Sequence, residues 1–420
     1  MAQASHATFD APVDAAVDDH MSNRASAALA SASDSSIKLA IHEDLAAIEP
    51  DWRAFEQHAD ATAFQSFDWL STWLRHVGLR TGAKPAVVTG HDARGGMLFL
   101  LPLAIERRHG TRRLTWLGSA LCDYNAPLLA ADFAQRIGLE GFVALWREIT
   151  RSLQSHPRLG YDVIDLQKMP EKVGAQANPF MRLAVSAHPT GAYLTGLGDN
   201  WDTFYAAKRS SSTRRRDRTK RNRLGDLGEV KFVNPEHGDD IARTLEALMR
   251  QKSAQFARMG VTDIFALPGW REFFLDVATN PGTRHLVHVS RLDVGTVPAA
   301  VNLGLTFHDC YYHVLASYDA GDVSRFGPGA AHLHDLLRRA IEKGCRVFDF
   351  TIGDERYKRD WCDTELTLYD HVAAATWRGA IAVVPMMAVQ RVKRWIKQTP
   401  ALWRVASRVR ELIGSLRKPS

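Results

Sequence analysis

One order of elements occurs twice in this sequence, and that repetition limits the folds open to the chain. In the second half, period-two apolar alternation marks strands at 286–292, 297–307 and 310–318, the first two joined by Asp293-Val294-Gly295-Thr296. A helix follows, because Leu333, Leu336, Leu337, Ala340 and Ile341 fall at i, i+3, i+4, i+7 and i+8 and form one apolar stripe. Gly344 stands where a helix C-cap belongs, and 346–352 reads as the next strand. The first half has a short strand at 37–42, helical patterns through Phe55 and over 67–77, strands at 85–90, 98–107 and 113–117, a helix over 133–153 and a buried strand at 161–166. Its Val163-Ile164-Asp165-Leu166 matches Val347-Phe348-Asp349-Phe350 in position and character. The pattern predicts an α+β (α/β) protein of two lobes, each a mixed, mainly antiparallel sheet flanked by helices. An ancient duplication and the general frequency of this order in α+β proteins both account for it.

The 420 residues, 45% of them hydrophobic, are enough for two cores. The expected division is a disordered leader over 1–36, lobes over 37–195 and 196–378, and a helical tail over 379–420. The leader is rich in Ala, Ser and Asp and lacks a basic start before an apolar run, so it does not read as a secretory signal. Apolar stretches such as Met97–Ile105 fall short of the ~20 residues a membrane span needs. Cys122, Cys310, Cys345 and Cys362 are scattered without metal-ligand spacing, so the expectation is no metal and a reducing cytoplasm.

The net charge of +6 is concentrated in two runs, 208–223 and 391–418, each with nine basic residues and one acid. No aromatic residue interrupts the first, which argues against nucleic acid and for a solvated helix face or a clamp for one phosphorylated substrate. In the tail, Leu402, Val405, Ala406, Val409, Leu412, Ile413 and Leu416 form a stripe with most cations off it. Such a basic amphipathic helix lies on an anionic inner leaflet or packs on protein.

The halves differ before the helix. The second has Ser324-Arg325-Phe326-Gly327-Pro328-Gly329-Ala330, while the first has Asp123-Tyr124-Asn125-Ala126-Pro127 and no glycine. Glycines let bare backbone approach an anion, and the helix start adds unpaired N–H groups, an arrangement suited to a pyrophosphate; equally, Gly-Pro-Gly starts a helix.

Hairpin, strand, glycine loop, helix and strand in this order resemble the GNAT acyltransferase superfamily. More narrowly, residues 347–361 (Val-Phe-Asp-Phe-Thr-Ile-Gly-Asp-Glu-Arg-Tyr-Lys-Arg-Asp-Trp) resemble the signature of the CelD-like cellulose-biosynthesis acetyltransferases, relatives of the FemAB aminoacyltransferases. Phe64-Gln65-Ser66-Phe67-Asp68-Trp69-Leu70 and Asp123–Leu128 are family-like as well. The resemblance implies two tandem GNAT-like lobes and an acyl-CoA co-substrate, acetyl-CoA first, with its pyrophosphate at Arg325, Phe326, Gly327, Gly329 and Ala330. Pro328 departs from the family loop, because it stands where a first glycine belongs and lacks an N–H.

Acyl transfer needs a base for the acceptor's proton and an acid for the leaving thiolate. Asp349, on the opposite strand face from Phe348 and Phe350, is either that base or a buried, backbone-bonded acid. Tyr357 is placed as the thiolate-protonating tyrosine or as a packing aromatic; Lys358 holds an anion or the acceptor, or is a surface lysine. His313 and Asp319 are weaker candidates. The expected activity is N- or O-acylation of a sugar or small amine in exopolysaccharide, cellulose or envelope metabolism, in the cytoplasm or peripheral to the inner membrane. The alternatives are a FemAB-like aminoacyl-tRNA-dependent transferase and a non-catalytic, membrane-associated accessory protein.

Overall fold

The computed structural model describes residues 37–398. The N-terminal lobe contains β1 (Lys38–His42), β2 (Val87–His91), β3 (Met97–Leu101), β4 (Leu103–Arg108), β5 (Thr111–Trp116), β6 (Val163–Pro170) and β7 (Val185–Ala187). Its helices include α1 (Leu45–Glu56), α2 (Phe67–Trp73) and α3 (Gly138–Ser155). The C-terminal lobe contains β8 (Ala192–Gly196), β9 (Val230–Val233), β10 (Val287–Val294), β11 (Val297–Phe307), β12 (Cys310–Tyr318), β13 (Val347–Ile352) and β14 (Thr364–Leu366), and β15 (Leu368–Ala374) follows. With them are α4 (Trp201–Lys208), α5 (Ser211–Gly225), α6 (Gly238–Met259), α7 (Trp270–Thr279), α8 (Pro328–Glu342), α9 (Arg356–Arg359) and α10 (Trp377–Gln398).

Both lobes carry the repeated order. Hairpin β4–β5 is followed by α3 and a parallel β5–β6 pair; hairpin β11–β12 is followed by α8 and a parallel β12–β13 pair. The stripe of α8 is buried against Phe348 and Phe350, and Gly344, at φ 79°, follows the C-cap Lys343 as the left-handed residue that ends the helix. In the other lobe, Phe180 packs between Trp116 and Trp146 at centroid distances of 5.1 and 5.0 Å.

Two features depart from the sequence reading. The strand expected over 98–107 is two strands, because Pro102 has no N–H to continue a ladder; β3 pairs with β2, whereas β4 pairs with β5 in a different sheet. Strand β15, grouped by sequence with the C-terminal lobe, pairs with β7 and β6 and fills the N-terminal sheet between them. The C-terminal sheet runs β9-β10-β11-β12-β13-β8-β14. The amphipathic stripe expected from Leu402 to Leu416 lies outside the described residues.

A shared core joins the lobes. Phe64 packs edge-on against Tyr124 and against Tyr312 at 5.7 Å each, and Trp69 meets Phe273 at 5.0 Å. A chain ending at residue 366 would lack the strand between β7 and β6. Its expected outcome is loss of the near-UV circular dichroism of the whole chain and rapid proteolysis of the N-terminal lobe; retention of both would mean that the lobe folds without β15.

Candidate active site

The parallel pairing of β12 and β13 covers only Cys310–Tyr312 against Val347–Asp349. Beyond that rung β12 runs on to Tyr318, while β13 turns away through Thr351, whose φ of 60° is left-handed for a β-branched residue. Two hydrogen bonds hold this backbone: the Thr351 N–H donates to Asp349 Oδ1 at 2.7 Å, and the Thr351 hydroxyl donates to the His313 carbonyl at 3.3 Å. The threonine closes the first step of the gap, and the strands diverge past it.

Alternation along β13 sends Phe348 and Phe350 under α8 and Asp349 to the other face, toward the N-terminal lobe. Asp349 is 4% exposed, and its Oδ1 also accepts a 2.7 Å hydrogen bond from the Tyr124 hydroxyl. Burial pushes its pKa up to about 7, with the Asp123 charge adding to the shift and the bonds from Tyr124 and Thr351 and the Lys358 charge opposing it. Asp349 and Tyr124 line an interlobe cavity of about 720 Å³, together with Thr62, Lys172, Tyr312, Glu365 and others.

On the α8 face lie two further cavities. One, of about 250 Å³, is lined by Lys252, His313, Ser317, Gly329, Ala330, Leu333 and Tyr357 among others. The second, of about 340 Å³, is lined by Arg218, Lys220, Arg221 and Arg338 against Asp217 and Asp335, by Gly327, Ala330 and His334 among others, and by the stacked pair Trp201–Tyr205, 5.0 Å apart. Ala330 borders both.

The structure refines the expected anion site. Gly327, at φ 67°, caps α8, but its N–H donates to Ser324 O, and the Ala330 and Ala331 amides donate to Gly327 O. With Pro328 lacking an N–H, Gly329 supplies the loop amide that has no protein acceptor among the described residues. Arg325 is exposed and lies over the Phe326 ring at 4.9 Å, outside the cavity lining. The cations come instead from α5, the basic run of the sequence. Arg221 is paired with Asp335 at 2.9 Å, whereas Arg218 and Lys220 have no carboxylate partner among the described residues.

The remaining candidates separate. Tyr357 lines the α8-face cavity, and although the residue is 38% exposed, desolvation and the Glu355 charge raise its pKa. Lys358 is buried with its ammonium donating to the Ile352 carbonyl at 2.8 Å and paired with Glu355 at 3.0 Å. It therefore holds the turn after β13 and is not free for an acceptor. Asp319 closes a tight turn by accepting the Gly321 N–H. His313 is buried and held neutral, its pKa pushed down to about 3 by desolvation.

Sequence reasoning did not assign Tyr124 or the α5 cations to the site. Tyr124 lies in the family-like run Asp123–Leu128, which by itself gives the phenol no role, and the charge of α5 carries no address. In the N-terminal lobe, Asp165 occupies the place of Asp349 but is bound by Arg113 at 3.0 Å and Gln167 at 2.8 Å beside a cavity of about 110 Å³.

Residues 211–359 match the family model of the acetyltransferase (GNAT) domain. The C-terminal lobe is a GNAT domain. The GNAT match makes the chain an enzyme of the acyltransferase class. Among solved structures, the crystal structure of FemX superposes with a TM-score of 0.54 at 10% identity, covering 80% of this chain and 97% of that one. A conserved protein of unknown function from Bacteroides thetaiotaomicron VPI-5482 gives 0.50 at 13% identity, covering 79% and 99%. At these identities the likeness is one of fold. No curated protein matches the chain.

The raised Asp349 pKa has a thermodynamic consequence. A carboxyl that ionises near 7 when folded and at 3.8 when unfolded makes the folded state lose stability as pH rises from 3.8 to about 7, by about 4 kcal/mol. Asp349→Asn retains an acceptor oxygen and does not ionise. Its stability in urea is expected to exceed that of the wild type by a margin that grows across this window and is constant above pH 7; equal urea midpoints at pH 5 and pH 8 would show that the carboxyl is not shifted.

Proposed function

We propose that this GNAT enzyme transfers an acyl group from acyl-CoA to an amine, the donor lying on the α8 face and the acceptor in the interlobe cavity. The observation that carries the reading is Asp349, a buried carboxyl poised near neutral pH where β12 and β13 part, with a polar cavity on its own face and two basic or apolar cavities on the other. The residues fit the co-substrate: Arg218, Lys220 and the Gly329 amide suit its phosphates, Trp201 and Tyr205 its base, and the cavity beside Leu333 and Tyr357 its arm. Acyl-CoA supplies an activated acyl carbon and a thiolate leaving group.

The chain's own groups then divide the proton transfers. The bound ammonium gives up one proton to solvent before it attacks, and Asp349 takes the second, which the nitrogen loses as its bond to the acyl carbon forms. Tyr124 holds Oδ1, and Oδ2, which has no protein hydrogen bond among the described residues, receives that proton. Tyr357, kept neutral by its raised pKa, gives its proton to sulfur as the carbon–sulfur bond breaks. The acceptor cavity holds Asp60, Glu171, Asp309, Asp349 and Glu365 against Lys172, a balance that favours a cationic amine over an anionic acceptor. A second reading, in which the acceptor is a sugar hydroxyl in exopolysaccharide, cellulose or envelope metabolism, rests on the resemblance of residues 347–361 to CelD-like enzymes.

Acyl-CoA binding by calorimetry, and thiol release with amine and sugar acceptors, test the proposal. Asp349→Asn is expected to lower kcat by ~10²–10⁴-fold and to abolish the decline of kcat/KM below pH 7. Arg218→Ala with Lys220→Ala is expected to raise KM for acyl-CoA about tenfold with little change in kcat. Absence of acyl-CoA binding would overturn the donor assignment; full activity of Asp349→Asn would overturn the base.

A further inference from the structure

The side of α10 that faces away from the protein is apolar. The helix packs on β15, β6 and β5, and its approach is close: a Cβ added to Gly379 would lie 1.8 Å from the Asp162 carbonyl oxygen. At ~100° per residue, Trp377, Ile381, Val384, Ala388 and Val392 fall on the side opposite Gly379. Trp377, Ile381 and Val384 are 71%, 68% and 70% exposed. A soluble helix normally turns such residues inward, and an exposed apolar strip marks a surface with a partner.

Charge identifies the partner. From 377 to 398 the chain has five Lys and Arg residues and no Asp or Glu. Arg378 and Arg391, both exposed, flank the apolar face on its two sides. A strip of Trp, Ile and Val bordered by cations matches a layer that is apolar below and anionic at its surface. Among the described residues no helix is long and apolar enough to cross a membrane, and an apolar strip along one side of a helix suits a position in the plane of that layer. We propose that α10 seats the protein on an anionic lipid surface, with Trp377, Ile381 and Val384 entering the headgroup region and Arg378 and Arg391 meeting the lipid phosphates. This docking is independent of the acyl-transfer chemistry, since none of these residues lines the three cavities.

The test is co-sedimentation of the full chain with vesicles of phosphatidylcholine alone and of equimolar phosphatidylcholine and phosphatidylglycerol. Binding to the anionic vesicles is expected to be at least ~tenfold tighter and to weaken with salt. Ile381→Glu with Val384→Glu is expected to weaken it by ~tenfold or more while far-UV circular dichroism and acyl-CoA binding are unchanged. Arg378→Gln with Arg391→Gln decides the case if the glutamate pair disturbs folding, because it removes the preference for anionic lipid without placing charge on the apolar face. Failure of the wild type to bind anionic vesicles overturns the proposal, as does binding that survives both substitutions. Conversion of a dimer to a monomer by the glutamate pair, without vesicle binding, overturns it in favour of a contact between copies.

Discussion

Phe64 lies between Tyr124 and Tyr312, and through that contact the two lobes hold one core. Buried aromatic edges in this geometry fix the distance between lobes far more tightly than a polar interface does, because any separation opens a void. The bond from Tyr124 to Asp349 depends on it. A phenol carried by one lobe meets a carboxyl carried by the other at 2.7 Å only while the aromatic packing is intact. The acid would otherwise be a buried, poorly satisfied charge; with the Tyr124 hydroxyl and the Thr351 amide it becomes a group that holds and releases a proton near neutrality.

The β-sheet separates the chemistry into two compartments. One face, under α8, gathers an excess of cations, an aromatic pair and a helix start; the other gathers an excess of carboxylates. The two meet where β12 and β13 stop pairing. Residues next to one another on a strand thus serve opposite sides, His313 bordering the smaller cavity under α8 and Tyr312 the acidic cavity. The N-terminal lobe has the same strands without this division, since Arg113 neutralises Asp165 in place.

Local signals were legible in the sequence, and long-range ones were not. The apolar stripe of α8, the glycine at its end and the opposed direction of Asp349 follow from periods of 3.6 and 2, which are properties of a few adjacent residues. Tyr124 and Asp349 are 225 positions apart, and no periodicity records their meeting. Pro102 was visible, but the apolar run on both sides of it reads as one strand until the sheets are assigned. Lys358 beside Tyr357 looked like part of the same site; the carbonyls at the end of β13 claim it instead. The basic run was conspicuous as composition, whereas its position against the glycine loop is a matter of tertiary packing alone.

Strand β15 bears on how the protein is made. About 200 residues separate β6 from the strand that completes its sheet, from Pro170 to Leu368. At ~5–20 residues per second a ribosome needs roughly ten to forty seconds to cover that distance. Throughout that interval β6 presents an unpaired edge, a template for other chains in the cell. Biosynthesis of the first lobe therefore ends only after the second has emerged, and a chaperone that shields this edge during translation would have a defined target.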